Sequence, residues 1–253
     1  MTLRTSTGLK NFILQNSSYK RAFRNAKIKV YTGSQPATAD SATSGTLLVT
    51  FTLGGAAHTA EVLSTGTVTL TGGASGSVDG ITVNGIEILG AVVPFNTSLT
   101  QTATDVAAQI NRWLSQPEYF ATSSGAVITI SALPGTGAGP NTFAVVSTVT
   151  TITKTDVNMA SGVNAANGLN LNVAASGAID KVPTETWQGT AVATGQAGWF
   201  RIEAAQADGG GSSTTLLRID GAVASSGGEL NITNTTITSG GVQTINSGTI
   251  TQA

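Results

Sequence analysis

The sequence predicts a mainly β protein: a β-sandwich or barrel with a short N-terminal helix, interrupted by a small inserted α+β domain. Three observations carry this prediction. Short runs of β-branched and aromatic residues recur along the chain, bounded by Gly, Asn, Asp and Pro. Turn formers are abundant, with 31 glycines in 253 residues, as many short strands require. Helical periodicity is confined to one stretch at the N-terminus and one near the middle.

The length fits one large β domain or two smaller ones, enough to bury a core without disulfides. Hydrophobic residues make up 40% and the formal net charge is -1, a balance unlike that of disordered chains. Charged residues are only 10%, far below the roughly 25% usual for globular proteins. No apolar run approaches the ~20 residues needed to cross a bilayer, so no membrane insertion is expected. The opening MTLRTSTGLK lacks the apolar region of a signal peptide. With no cysteine, disulfides, thiolate chemistry and cysteine metal sites are excluded.

In chain order, residues 7–26 read as a helix. Leu9 with Phe12 and Ile13, and Tyr19 with Phe23, fall at spacings of three and four, and all five share one stripe. Ser6 or Thr7 is placed to cap its start. The polar run Asn16-Ser17-Ser18 is placed to split it in two. IKVYT (28–32) and LLVTFTL (47–53) read as strands, separated by turn formers around Pro36. From residue 66 short strands are punctuated by Asp79-Gly80 and Asn84-Gly85, dipeptides suited to tight hairpins. A helix is expected over 101–115, with apolar face Ala103, Val106, Ala107, Ile110, Trp113 and Leu114, and with Thr102 and Asp105 at capping-box spacing. AVITISA (126–132) and TFAVVSTV (142–149) follow as strands. After Asn167 come alternating segments at 169–173, 190–193, 199–204 and 216–219, with Asp220-Gly221 expected to turn a hairpin. These textures predict an outer β domain of residues 1–66 plus 164–253, whose residues 1–27 form a basic helical arm. An inserted domain spans 67–163, because insertion at a surface loop is well tolerated.

Charge is segregated. Arg4, Lys10, Lys20, Arg21, Arg24, Lys27 and Lys29 precede the first acid, Asp40, so residues 1–39 carry +7 and the remainder 5 − 13 = -8. Such a segment is either a solvated helix face or an arm that docks on an acidic surface of this or another chain. Leu9, Phe12, Ile13, Tyr19, Lys20, Arg21, Phe23 and Arg24 are therefore the candidate assembly contacts. Nucleic acid is not expected as a partner, since the acidic body would repel phosphates.

GLKNFILQ, followed by IKVYTGSQPATADSATSGTLLVTFTL, resembles the start of a family of tailed-bacteriophage virion structural proteins. The stretch WQGTAVATGQAGWFRIEAAQADGGGSSTTLLRIDGAVASSGGELNITNTTITSGG is similar to the other half of that family. ITVNGIEIL, DVAAQIN and AVITISALPGTGAGPN resemble a module inserted in phage tail and other virion proteins. The resemblance implies a non-enzymatic particle component with other virion proteins as partners, in a homo-oligomer assembled in the bacterial cytoplasm. A capsid-surface decoration or head-fibre-base protein is the leading expectation; a tail or neck component is the alternative. A low-charge Thr-, Ser- and Ala-rich surface suits this, since long charged side chains lose more entropy when ordered at an interface.

No catalytic, cofactor-binding or metal-ligating residues are expected. His58 is the sole base available for a Ser-His-Asp triad, but no G-x-S-x-G elbow accompanies it. Gly135, Gly137 and Gly139 lie between two strands, not at the helix start a dinucleotide fingerprint needs. Asp208 stands before three glycines without the carboxylate spacing of a calcium loop. Glu185 with Trp187, and Glu203 with Trp199, are the groups a glycan-binding or glycan-cleaving module would use. Of Trp199 and Phe200, adjacent in a strand, one is expected to face inward and one outward.

Overall fold

The computed structural model describes residues 3–16, 18–232 and 234–251. The chain divides into two compact units, Met1–Glu61 with Ala165–Ala253, and Val62–Asn164. The first stretch holds β1 (Arg4–Thr5), α1 (Thr7–Asn16), α2 (Tyr19–Ala22), β2 (Lys27–Thr32) and β3 (Leu47–Leu53). The inserted unit holds β4 (Thr65–Gly72), β5 (Ser77–Val83), β6 (Ile86–Glu87), β7 (Val93–Pro94), α3 (Leu99–Arg112), β8 (Tyr119–Ser124), β9 (Val127–Ala132), β10 (Val145–Thr150) and β11 (Thr153–Ala160). The return stretch holds β12 (Ala178–Asp180), β13 (Trp187–Thr190), β14 (Gly195–Glu203), β15 (Arg218–Ala224), β16 (Leu230–Asn231), β17 (Thr236–Ile237), β18 (Val242–Ile245) and β19 (Thr249–Thr251). The protein is mainly β.

The outer unit is built on one sheet, ordered β1-β15-β14-β2-β3-β13-β18, with β16 on β15 and β17 on β14. Among the described strands this path does not close into a barrel. Its two faces differ in chemistry. Across β14 and β2, Trp199 pairs with Tyr31, Arg201 with Lys29 and Glu203 with Lys27; these side chains share one face by strand alternation. Phe200, Ile202, Val30 and Ile28 share the other. That second face packs under Phe23 and the 169–171 segment, which with Ile28, Trp187 and Ile202 border a small interior gap. Both Trp199 and Phe200 are buried, which corrects the expectation of one outward ring. The reason is that each face has its own cover: Trp199 stacks on Tyr31 with centroids 4.6 Å apart, and Phe200 lies over Gly221, where a Cβ would come within 2.6 Å of the ring. The same contact explains why Asp220-Gly221 is no turn but the middle of β15.

In the inserted unit one sheet is ordered β10-β5-β6 with β7 on β5, and another β11-β4-β9-β8. Ala103, Val106, Ala107 and Ile110 of α3 are buried with Ile81, Ile128 and Ile130 in its core. The helix starts earlier than expected. Ser98 is its N-cap, its hydroxyl accepting from the Gln101 amide, while Thr102 donates back to the Ser98 carbonyl at 2.8 Å. Asp105 takes the amides of Asn96 and Gln101 and closes no capping box. The helix also ends before Trp113 and Leu114, which are exposed rather than part of its buried face. Asn84-Gly85 turns the β5–β6 hairpin with positive φ at both residues, but Asp79-Gly80 lies inside β5.

Where the inserted unit leaves the outer one, Thr59 and Ala166 exchange backbone hydrogen bonds of 3.0 and 3.2 Å, so the two ends of the outer unit lie side by side. Replacing residues 62–164 by a short Gly-Ser bridge should therefore leave a soluble outer unit with one cooperative thermal transition. An insoluble product would mean that the units share a core.

Candidate assembly surface

The N-terminal segment is bound to its own body. Ser6 caps α1, its hydroxyl accepting from the Leu9 amide at 3.1 Å while donating to the Leu216 carbonyl at 2.7 Å. Asp40, the first acid in the chain, accepts from the Thr7 amide and hydroxyl at 2.8 and 2.6 Å; a carboxylate there also complements the helix dipole. At Gly8 a Cβ would sit 2.4 Å from the Thr215 carbonyl oxygen, so only glycine permits this close approach. The helix breaks between Asn16 and Tyr19, as expected; Ser17 itself lies outside the described residues.

Leu9, Phe12 and Phe23 are buried within the chain. They are spent on its own core, which removes them from the residues available to a neighbour. Ile13 and Tyr19 remain half-buried, and Lys20, Arg21 and Arg24 are exposed. Lys27 and Lys29, by contrast, turn inward and flank the fully buried Glu203 at 3.1 and 2.9 Å. The basic segment thus meets part of its acidic complement in its own chain.

Beneath the 39–44 and 206–211 loops lies a buried ionic layer. Arg201 binds Asp220 bidentately, both contacts 2.7 Å, and reaches the Ser41 carbonyl at 3.1 Å. Arg218 binds Asp208 through two 2.6 Å contacts and donates to the Gly211 carbonyl at 2.8 Å. Asp208 is therefore held by the Arg218 guanidinium. The sequence signal was present in WFRIE and LLRID, whose opposite charges fall in register as Arg201–Asp220 and Glu203–Arg218. Burial pushes the Asp208 carboxyl up, but the Arg218 guanidinium and the Gly210 amide outweigh it and hold the carboxyl below its usual range. A depressed folded-state value stabilises above the unfolded pKa, about 3.9, and that contribution fades as pH falls through the folded value. The stability gap between the native chain and Asp208→Asn should accordingly narrow on acidification below about pH 4, read from urea midpoints across pH.

The other expected candidates have structural partners. The His58 ring Nε2–H donates to the Asn25 carbonyl at 3.0 Å, and burial holds its pKa down. Gly137 has φ +54, and Asn164 Oδ1 fills the space a Cβ would take. Glu185 accepts from the Trp187 indole at 2.8 Å and from both nitrogens of Asn170. Trp187 and Trp199 are buried, so neither tryptophan–carboxylate pair offers a platform to a sugar.

One open feature adjoins the exposed cations. A cavity of about 360 Å³ is lined by Tyr19, Lys20, Val173, Ala174, Ile179 and Ile250 among others. Its lining is mostly apolar, with Ser18 and Lys20 among the polar residues, and Val173 is 70% exposed. Tyr19 and Lys20 are among the expected assembly contacts, whereas the 173–179 wall, which follows the alternating segment that ends at Val173, is not. Family models, characterised proteins and solved structures give no match to this chain.

Proposed function

We propose that the chain is a non-enzymatic structural component of a tailed-phage particle, acting through protein–protein contacts as a capsid-surface decoration or head-fibre-base protein. The observation that carries this reading is the open, mostly apolar cavity with Lys20 in its lining and the exposed Arg21 next to it in sequence. An apolar centre edged by charge is how protein interfaces are built: burial supplies affinity and rim charges guide approach. The carboxylates also favour it. Proton transfer needs a group in reach of a substrate, whereas Glu185, Glu203, Asp208 and Asp220 each face a partner within the fold.

Localisation of the labelled protein in intact particles by electron microscopy tests the proposal. A regular array on the capsid surface is the expected result. Density at the neck or tail would reassign it to that part of the particle, and absence from particles would overturn the reading. A glycan array probed with the purified chain should show no binding.

A further inference from the structure

We propose that the outer unit's cavity receives Trp113 and Leu114 from the inserted unit of a second copy, so that copies join head to tail. This rests on the structural role proposed above and names the partner of its contact surface.

The socket has the size of ligand pockets, which run from about 300 to 1,000 Å³. The inserted unit carries a matching projection. Gly90 has φ +71, and a Cβ built on it would lie 2.1 Å from Trp113 Cδ2 and 2.4 and 2.6 Å from Cε3 and Cε2. Distances that rise so evenly from the ring-fusion atom fit only a point above the ring plane. The indole therefore rests face-down on Gly90, with its opposite face outward. Trp113 is 43% exposed and Leu114 70%. Glu87, itself exposed, braces this corner by accepting from the Leu89 and Gly90 amides at 2.7 and 3.2 Å. A half-exposed Trp is among the residue types most often found as interface anchors.

Charge is complementary as well. Residues 62–164 contain Arg112 and Lys154 against Asp79, Glu87, Asp105, Glu118 and Asp156, so 2 − 5 = -3. Arg112 is the cation nearest the indole in sequence, and Lys154 is paired with Asp156. The socket lining includes Lys20, and Arg21, the next residue in sequence, is exposed. Because socket and projection are different surfaces, the contact is heterologous and propagates into rings or open chains, as a many-copy shell component requires.

Sedimentation velocity on the full chain at micromolar concentration tests this. The native chain should self-associate. Trp113→Ala with Leu114→Ser removes the projection, and Val173→Asp with Ala174→Asp spoils the socket. Each variant alone should associate at least thirtyfold more weakly, as loss of an interface anchor implies. Mixed, they should form a one-to-one dimer and stop there, since each retains the surface the other lacks. Lys20→Glu with Arg21→Glu, at exposed positions, is an independent socket variant should the first fail to fold; it should weaken association several-fold at low salt and less at high salt. A monomeric native chain, a projection or socket variant that assembles normally, or a mixture that stays monomeric would each overturn the inference. A monomeric chain that still binds particles would do so while leaving the structural role intact.

Discussion

Arg201→Met is expected to destabilise the outer unit by about 3–5 kcal/mol, the usual cost of leaving one member of a buried ion pair uncompensated. Both Arg201 and Asp220 are fully buried, so no water reaches the stranded carboxylate. The double substitution Arg201→Met with Asp220→Leu should recover most of that loss, because the desolvation penalty leaves together with the charges. Urea denaturation of the two variants and of Asp220→Leu completes a double-mutant cycle. Equal stability of Arg201→Met and the native chain would show that the layer is open to solvent.

Phe23→Ala should cost about 3–5 kcal/mol at any salt concentration, as truncation of a buried aromatic does. Phe23 borders the interior gap over Ile28 and Ile202, and its loss enlarges that gap without a side chain free to fill it. Lys20→Glu with Arg21→Glu, a few residues away, should change stability by no more than about 0.5 kcal/mol and act on association instead. The contrast separates a segment's hold on its own body from its reach toward another. Denaturant midpoints at low and high salt, beside sedimentation of the same variants, distinguish the two.

The elements that sequence made legible are those with one dominant signal. LLVTFTL is β3, because β-branched and aromatic residues have no better use than a pleated strand. Leu9, Phe12, Ile13 and Tyr19 lie on helices broken at the polar run, as their spacing predicts, but the second helix stops at Ala22 and not at residue 26, with Phe23 as its C-cap. The expected boundaries, 66/67 and 163/164, compare with 61/62 and 164/165 in the structure. What failed were residues whose meaning depends on a distant neighbour. Asp220-Gly221 looks like a turn until Arg201 claims the acid and Phe200 claims the glycine. Trp113 continues an apolar helical face until the helix stops at Arg112. Glu203 looks like a surface acid until Lys27 and Lys29, more than 170 residues earlier, come to flank it. The cavity itself was not legible: Tyr19 and Lys20 stood among the expected contacts, but the opposite wall comes from residues 173–179, more than 150 positions later.

The pairing of β2 with β14 has a consequence for the protein's birth on the ribosome. Strand β2 ends at Thr32, yet its partner begins at Gly195. The inserted unit, contiguous from Val62 to Asn164, draws both its sheets from chain already synthesised when residue 164 emerges. The outer unit has no such option. At the slow end of translation, ~5 residues per second, β2 and the Leu9–Phe23 stripe wait on the order of half a minute before β14 exists. During that interval an apolar helix and an unpaired strand edge are open to other nascent chains. The seven basic residues in the first 39 positions repel their counterparts on other nascent chains, which opposes association of those waiting segments.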